Sequence, residues 1–315
     1  MRLFSLFLLV SFLLSACNSL IQDVDPDKLP KVDQKIVVQC YISPQDTLLR
    51  ATVSQSRVVL GTNDNSVTNG HQVVLSEGSR SIELKFNPSL SAFVADARQF
   101  PIEAGKTYRL KVQKGVQSVE AVCTVPQAIP LTTVKLDSAR LGNDRDGSLF
   151  WSYYIQASWQ DPAGSVNMYR LAGDYEFLQV TTSTRPNQPP TQNSQQMINQ
   201  LGFNEDNTDF LSDRNRNGQM ITSQRGYLYL NSQTYSYVSN GSVYTNSTIS
   251  KRPIKINFYL LNVDMNYHAY HHALELQNDA VDNPFAEPAL VPTNIQGGLG
   301  CFGAYNRSTI TAILK

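Results

Sequence analysis

The chain has 315 residues and balances 26 Lys+Arg against 26 Asp+Glu, so it carries no net formal charge. That neutrality excludes the basic footprint of a nucleic-acid binder. A hydrophobic fraction of 41% is enough to build two domains with real cores.

The first stretch sets the address. Arg2 is followed by an apolar run from Leu3 to Leu14 and then by Leu14-Ser15-Ala16-Cys17. A run of about a dozen apolar residues is too short to cross a bilayer and suits a signal-peptide core. A cysteine directly after the small pair reads as a lipobox. Residues 1–16 are therefore expected to be a lipoprotein signal peptide, and Cys17 to carry a diacylglycerol on its thiol and an acyl chain on its new amine. No other cofactor is expected. Residues 17–32, polar and with Asp23, Asp25 and Asp27 closely spaced, read as an acylated tether.

Residues 33–127 give seven short strand signals, at 35–43, 48–55, 72–76, 81–87, 91–97, 107–113 and 117–125, with turn residues between them. Seven strands without a helical period predict an immunoglobulin- or fibronectin-III-like sandwich. Ile102-Glu-Ala-Gly105-Lys-Thr-Tyr108 matches a tyrosine corner. Cys40 shares a strand face with Val38 and Ile42, and Cys123 one with Ala121 and Val125, so both point into the core. An extracytoplasmic compartment permits a Cys40–Cys123 bridge; two buried free thiols fit the pattern as well. Pro126 and Pro130 close the unit.

Residues 130–315 are expected to form a second β-rich domain with strands at 131–141, 149–160, 166–181, 226–231, 253–261 and 307–314. Residues 181–196, TTSTRPNQPPTQNSQQ, read as a mobile surface loop. The one long helical pattern is expected at about 264–279, capped by Asn262 or Asp264. Tyr267, Tyr270, His271 and Leu274 would face a sheet, with His268, His272 and Glu275 on the far side.

Three patterns resemble chemistry and fall short of it. His268 and His272 have metal-ligand spacing, yet Ala269 stands where a zinc-protease helix needs glutamate. Asp213, Asn215 and Asn217 followed by Gly218 match half a calcium loop, but Gln224 takes the place of the bidentate glutamate. Gly298-Leu-Gly300-Cys-Phe-Gly303 spells a dinucleotide fingerprint, but a strand pattern follows it instead of a helix, so close backbone approach is the expected use of these glycines. No nucleophile elbow or triad pattern stands out, and the chain is read as a non-enzyme.

KIVVQCYIS, AGKTYRLKV ending at AVCTVP, WQDPAGSVNMYRL and above all NYHAYHHALELQ…NPFAEPALVPTNIQGGLGCFGAY together resemble the domain of unknown function 4249 family of Bacteroidota lipoproteins. The resemblance spans nearly the whole mature chain, with Cys301 departing from the expected aromatic or aliphatic residue. It implies a lipid-anchored outer-membrane protein that serves as accessory to a TonB-dependent β-barrel transporter in nutrient capture or gating; the Asp23, Asp25 and Asp27 cluster resembles an export signal that would place it on the cell-surface face. It implies no catalytic residues and does not identify the nutrient, whether small molecule or oligomer. A structural or adhesive surface lipoprotein and a cryptic hydrolase are the alternatives. The loop expected to face a partner is Asn283, Pro284, Phe285 and Glu287, continuing to Asn294.

Overall fold

The computed structural model describes residues 34–56, 69–141, 150–203, 205, 208–230, 232–281 and 289–314. Cys17 and the tether lie outside the described residues, as do Asn283, Pro284, Phe285 and Glu287. Among the described residues the protein is mainly β with a single long helix.

The first seven strands are β1 (Ile36–Ile42), β2 (Leu48–Gln55), β3 (Gln72–Glu77), β4 (Arg80–Asn87), β5 (Ala92–Asp96), β6 (Thr107–Lys114) and β7 (Gln117–Thr124), each within a few residues of its predicted place. Their signal is strong because alternation is clean: in β6 Tyr108, Leu110 and Val112 are buried while Arg109, Lys111 and Gln113 are exposed. The strands run in the order β1-β2-β5-β4-β3-β6-β7, with β4 bonded to both β5 and β3. The hydroxyl of buried Tyr108 accepts from the Glu103 N–H at 2.8 Å, which is the tyrosine-corner bond. Cys40 and Cys123 do enter the core, and both are free thiols; no bridge joins them. β1 pairs with β2 and with β17 (Leu299–Ile313), and β7 pairs with β6.

The remaining elements are β8 (Leu131–Leu141), β9 (Phe150–Gln160), β10 (Met168–Thr184), β11 (Thr191–Gln200), β12 (Phe210–Ser212), β13 (Met220–Thr222), β14 (Gly226–Leu228), β15 (Ser232–Ser239), β16 (Ser242–Val263) and helix α1 (Met265–Val281). β8, β9, β13 and β14 form a four-stranded sheet. It covers the inner face of β10 and β16, burying Trp159, Tyr169, Tyr175, Phe177 and Phe258.

Residues 181–196 are not a loop. They continue β10, turn at about 185–190 and return as β11, with Thr181 opposite Asn193 and Ser183 opposite Thr191. Proline- and glutamine-rich composition hid the strands, because both faces of this hairpin are polar and no alternation marks it.

β17 joins the two predicted domains. It runs antiparallel to β16 and parallel to β1, placing Gly300 beside Val38, so one 13-stranded sheet passes across the predicted boundary at 127–130. Phe302, Ala304 and Ile295 belong to the core of the first seven strands. Two buried asparagines, opposite one another in β16 and β17, pin the linker: Asn262 donates to the Gln127 carbonyl and Asn306 to that of Pro126, both at 3.0 Å.

Candidate functional site: a cleft beside the helix

Helix α1 begins at Asp264. One carboxylate oxygen accepts from the Tyr267 N–H at 2.9 Å, which is the N-cap bond, and the other accepts from the Ala304 N–H on β17. Burial pushes the Asp264 carboxyl up to about 6. The helix start is thereby tied to the glycine-rich strand. A Cβ on Gly303 would lie 2.9 Å from that of Tyr267, and only the missing side chain lets helix and strand approach so closely.

Tyr267 and Tyr270 are buried against the sheet as their spacing requires. The far side is not free, however. His268 packs edge-on against Phe210 at 5.3 Å, and Glu275 accepts a hydrogen bond from Thr208 at 2.7 Å. The segment carrying Thr208, Asp209 and Phe210 lies over this face, and nothing in the helical period could reveal it. Burial and the Arg170 charge drive the His271 imidazole down to about 4, so it is neutral at physiological pH.

Between this segment, the helix and β10 lies a cleft of about 740 Å³. Leu171, Leu201, Phe203 and Leu261 line its apolar part; Arg170, Thr208, Asp209, Glu275 and Asn278 supply the polar groups. Arg170 donates from Nε to Asp209 at 2.9 Å and from Nη1 to the Tyr267 hydroxyl at 2.7 Å, and its guanidinium lies 5.1 Å from the centre of the Phe210 ring. Burial, reinforced by the neighbouring Asp209, raises the Glu275 carboxyl to about 7. The cleft thus presents one cation, one carboxylate and one carboxyl that is half-protonated near neutral pH. A concave site of mixed apolar and polar lining, with convergent charged groups and a displaced titration, is a candidate small-molecule site.

The residues singled out from sequence lie elsewhere. Asp213 is fully buried and accepts from the Asn167 N–H at 2.9 Å, while Asn217 accepts from Gly164 and donates to Ser165, both at 2.9 Å. Asn215 is exposed. The Asp213 and Asn217 side chains lock the 213–218 turn onto the 161–167 turn. Among the described residues no three His, Cys, Asp or Glu side chains gather as a metal site. Asn294 is half-buried. It brackets the Phe302 backbone, accepting from its N–H at 3.0 Å and donating to its carbonyl at 2.7 Å. Cys301 is buried, and burial pushes its thiol up to about 12. Arg170, Asp209 and Glu275 went unnoticed as a group because they come from three distant segments; only the unusual Glu275 on a histidine-bearing helix hinted at them.

Residues 21–311 match the family described as Domain of unknown function (DUF4249). The chain belongs to the DUF4249 family. No curated protein matches it. The match takes in the described strands up to Thr311, the helix and the whole lining of the cleft.

Proposed function

We propose that this DUF4249 protein is a non-enzymatic lipoprotein, anchored by acyl chains on Cys17 to the surface face of the outer membrane, that captures a small nutrient and passes it to a TonB-dependent transporter. The observation that carries the capture role is the cleft of about 740 Å³ with its apolar wall and its Arg170, Asp209 and Glu275 groups. Its volume suits a small metabolite. The lipobox and the sequence resemblance support the address and the transporter partner. The first seven strands belong to this reading as an immunoglobulin-type module, supported by their order and by the Tyr108 corner.

Native mass spectrometry of the lipoprotein released gently from outer membranes tests the capture role. A small molecule is expected on the wild type and is expected to be lost from Asn278→Trp, whose indole at the exposed rim closes the cleft. An empty cleft in the freshly released wild type contradicts it.

One observation favours a second reading. Asp209 and Glu275 converge in the cleft, and a carboxyl raised above its ordinary range beside a second acidic side chain is a pairing many hydrolases use. Against it, Asp209 is committed to Arg170 and Glu275 to Thr208. Turnover of aryl-glycoside or aryl-ester probes that disappears in Glu275→Gln would establish the hydrolase.

A further inference from the structure

Beyond the body, β10, β11, β15 and the first half of β16 form an arm. Residues 178–184, 191–200 and 232–250 contain no Asp, Glu, Lys or Arg, in a chain that is 17% charged. At the outer side of the arm β15 pairs with β16 and with no other described strand. All eight of its residues are exposed, including Tyr235 at 60%, Tyr237 at 51% and Val238 at 70%. Folded proteins normally protect such an edge with a lysine, a proline or a bulge. β15 has none of these, and its register with β16 is unbroken from Ser232 to Ser239.

The β15 sequence is also a chemical palindrome. About Ser236 it reads Tyr235 and Tyr237, then Thr234 and Val238, then Gln233 and Ser239. If two such strands meet antiparallel about a two-fold axis through Ser236, each Tyr235 faces Tyr237 of the other copy. Each Thr234 then faces Val238. Aromatic pairs and β-branched pairs are the favourable cross-strand combinations. The absence of charge removes the repulsion that would oppose a like copy.

We propose that two copies of this protein pair through their β15 edges, antiparallel and centred on Ser236, to make one continuous sheet from two arms. An eight-residue edge buries less than the about 1,600 Å² of a standard interface. The contact is therefore weak in solution and needs the crowding of a shared surface. It is independent of what the cleft binds.

The register names its own test. At the two-fold axis the Ser236 Cβ atoms stand about 4.5–5.5 Å apart, and an approach of about 1 Å by the exposed edge brings them to the about 3.5–4.5 Å of a disulfide. The full-length protein carrying Ser236→Cys is expressed in its native cells, the cells are treated with a mild oxidant, and dimer is read on a non-reducing gel. Ser194→Cys, exposed on the β11 edge, is the control. Cys40, Cys123 and Cys301 are buried and do not compete. Ser236→Cys is expected to give at least about tenfold more dimer of twice the chain mass than Ser194→Cys. Adding Thr234→Lys and Val238→Lys is expected to abolish that dimer while leaving the melting temperature unchanged, since both side chains are exposed. Equal cross-linking of the two single variants, an adduct of any other mass, or a dimer that survives the two lysines overturns the proposal.

Discussion

At the scale of single residues, this protein places ionisable groups where burial works against their charge. Glu275 is the clearest case. Its carboxyl titrates at about 7 rather than the ordinary 4.5, first because it is buried and then because Asp209 adjoins it. A carboxyl whose folded value is raised contributes stability that is fully present below its unfolded value and is lost as pH rises through the folded one. Wild type is therefore expected to lose stability between about pH 4.5 and 7.5 from this group, and Glu275→Gln to escape that loss. The side chain is 29% exposed, so solvent screening reduces the effect to about 1 kcal/mol. Thermal melts of the two proteins are expected to coincide near pH 4.5 and to separate in favour of the glutamine variant at pH 8. His271, driven down to about 4, acts in the opposite sense and is common to both proteins, so the difference between them isolates Glu275. At the other end of the chain, Cys17→Ala is expected to abolish incorporation of a fatty-acid probe; continued labelling would refute the lipid anchor.

At the scale of elements, the glycine-rich strand β17 is the most constrained part of the molecule. Gly300 has φ +104° and pairs with Val38, and a Cβ there would lie 2.0 Å from the Val38 carbonyl oxygen. Both the backbone angle and the contact exclude a side chain. Gly300→Ala is expected to cost about 3 kcal/mol, measured by urea denaturation, whereas Gly115→Ala in the β6–β7 turn meets no neighbour within 4 Å and pays only for its positive φ. The same strand shows how far a sequence can be read. β1 to β7 were legible because a two-residue alternation encodes one buried face. The buried faces of Tyr267 and Tyr270 were legible because a helix imposes 3.6-residue spacing, and the cap was narrowed to Asn262 or Asp264, of which Asp264 takes the role. The glycines could be assigned to close approach, but not to Val38 or Tyr267, since parallel pairing of segments this far apart leaves no local signature. β11 and β15 escaped notice for another reason: serine, threonine, glutamine and asparagine occupy both of their faces, so neither face announces itself as buried. The cleft was least legible, since it exists only once β10, the Thr208–Phe210 segment and α1 are brought together.

At the scale of the whole molecule, one sheet runs from the arm through β16 and β17 into the first seven strands, and the linker is clamped by Asn262 and Asn306. A ligand-induced shift at α1 would therefore be felt through Asp264 at β17, and through β17 at β1. That continuity is compatible with the proposed hand-over from the cleft to a transporter. Among the described residues no helix is long and apolar enough to cross a bilayer; the proposed anchor is the acyl chains on Cys17. The most direct test is affinity purification of the tagged, lipidated protein from outer membranes solubilised in mild detergent, with the co-purifying proteins identified by mass spectrometry. The account predicts recovery of a TonB-dependent β-barrel in near-stoichiometric amount. Recovery of the lipoprotein with no β-barrel partner would contradict it.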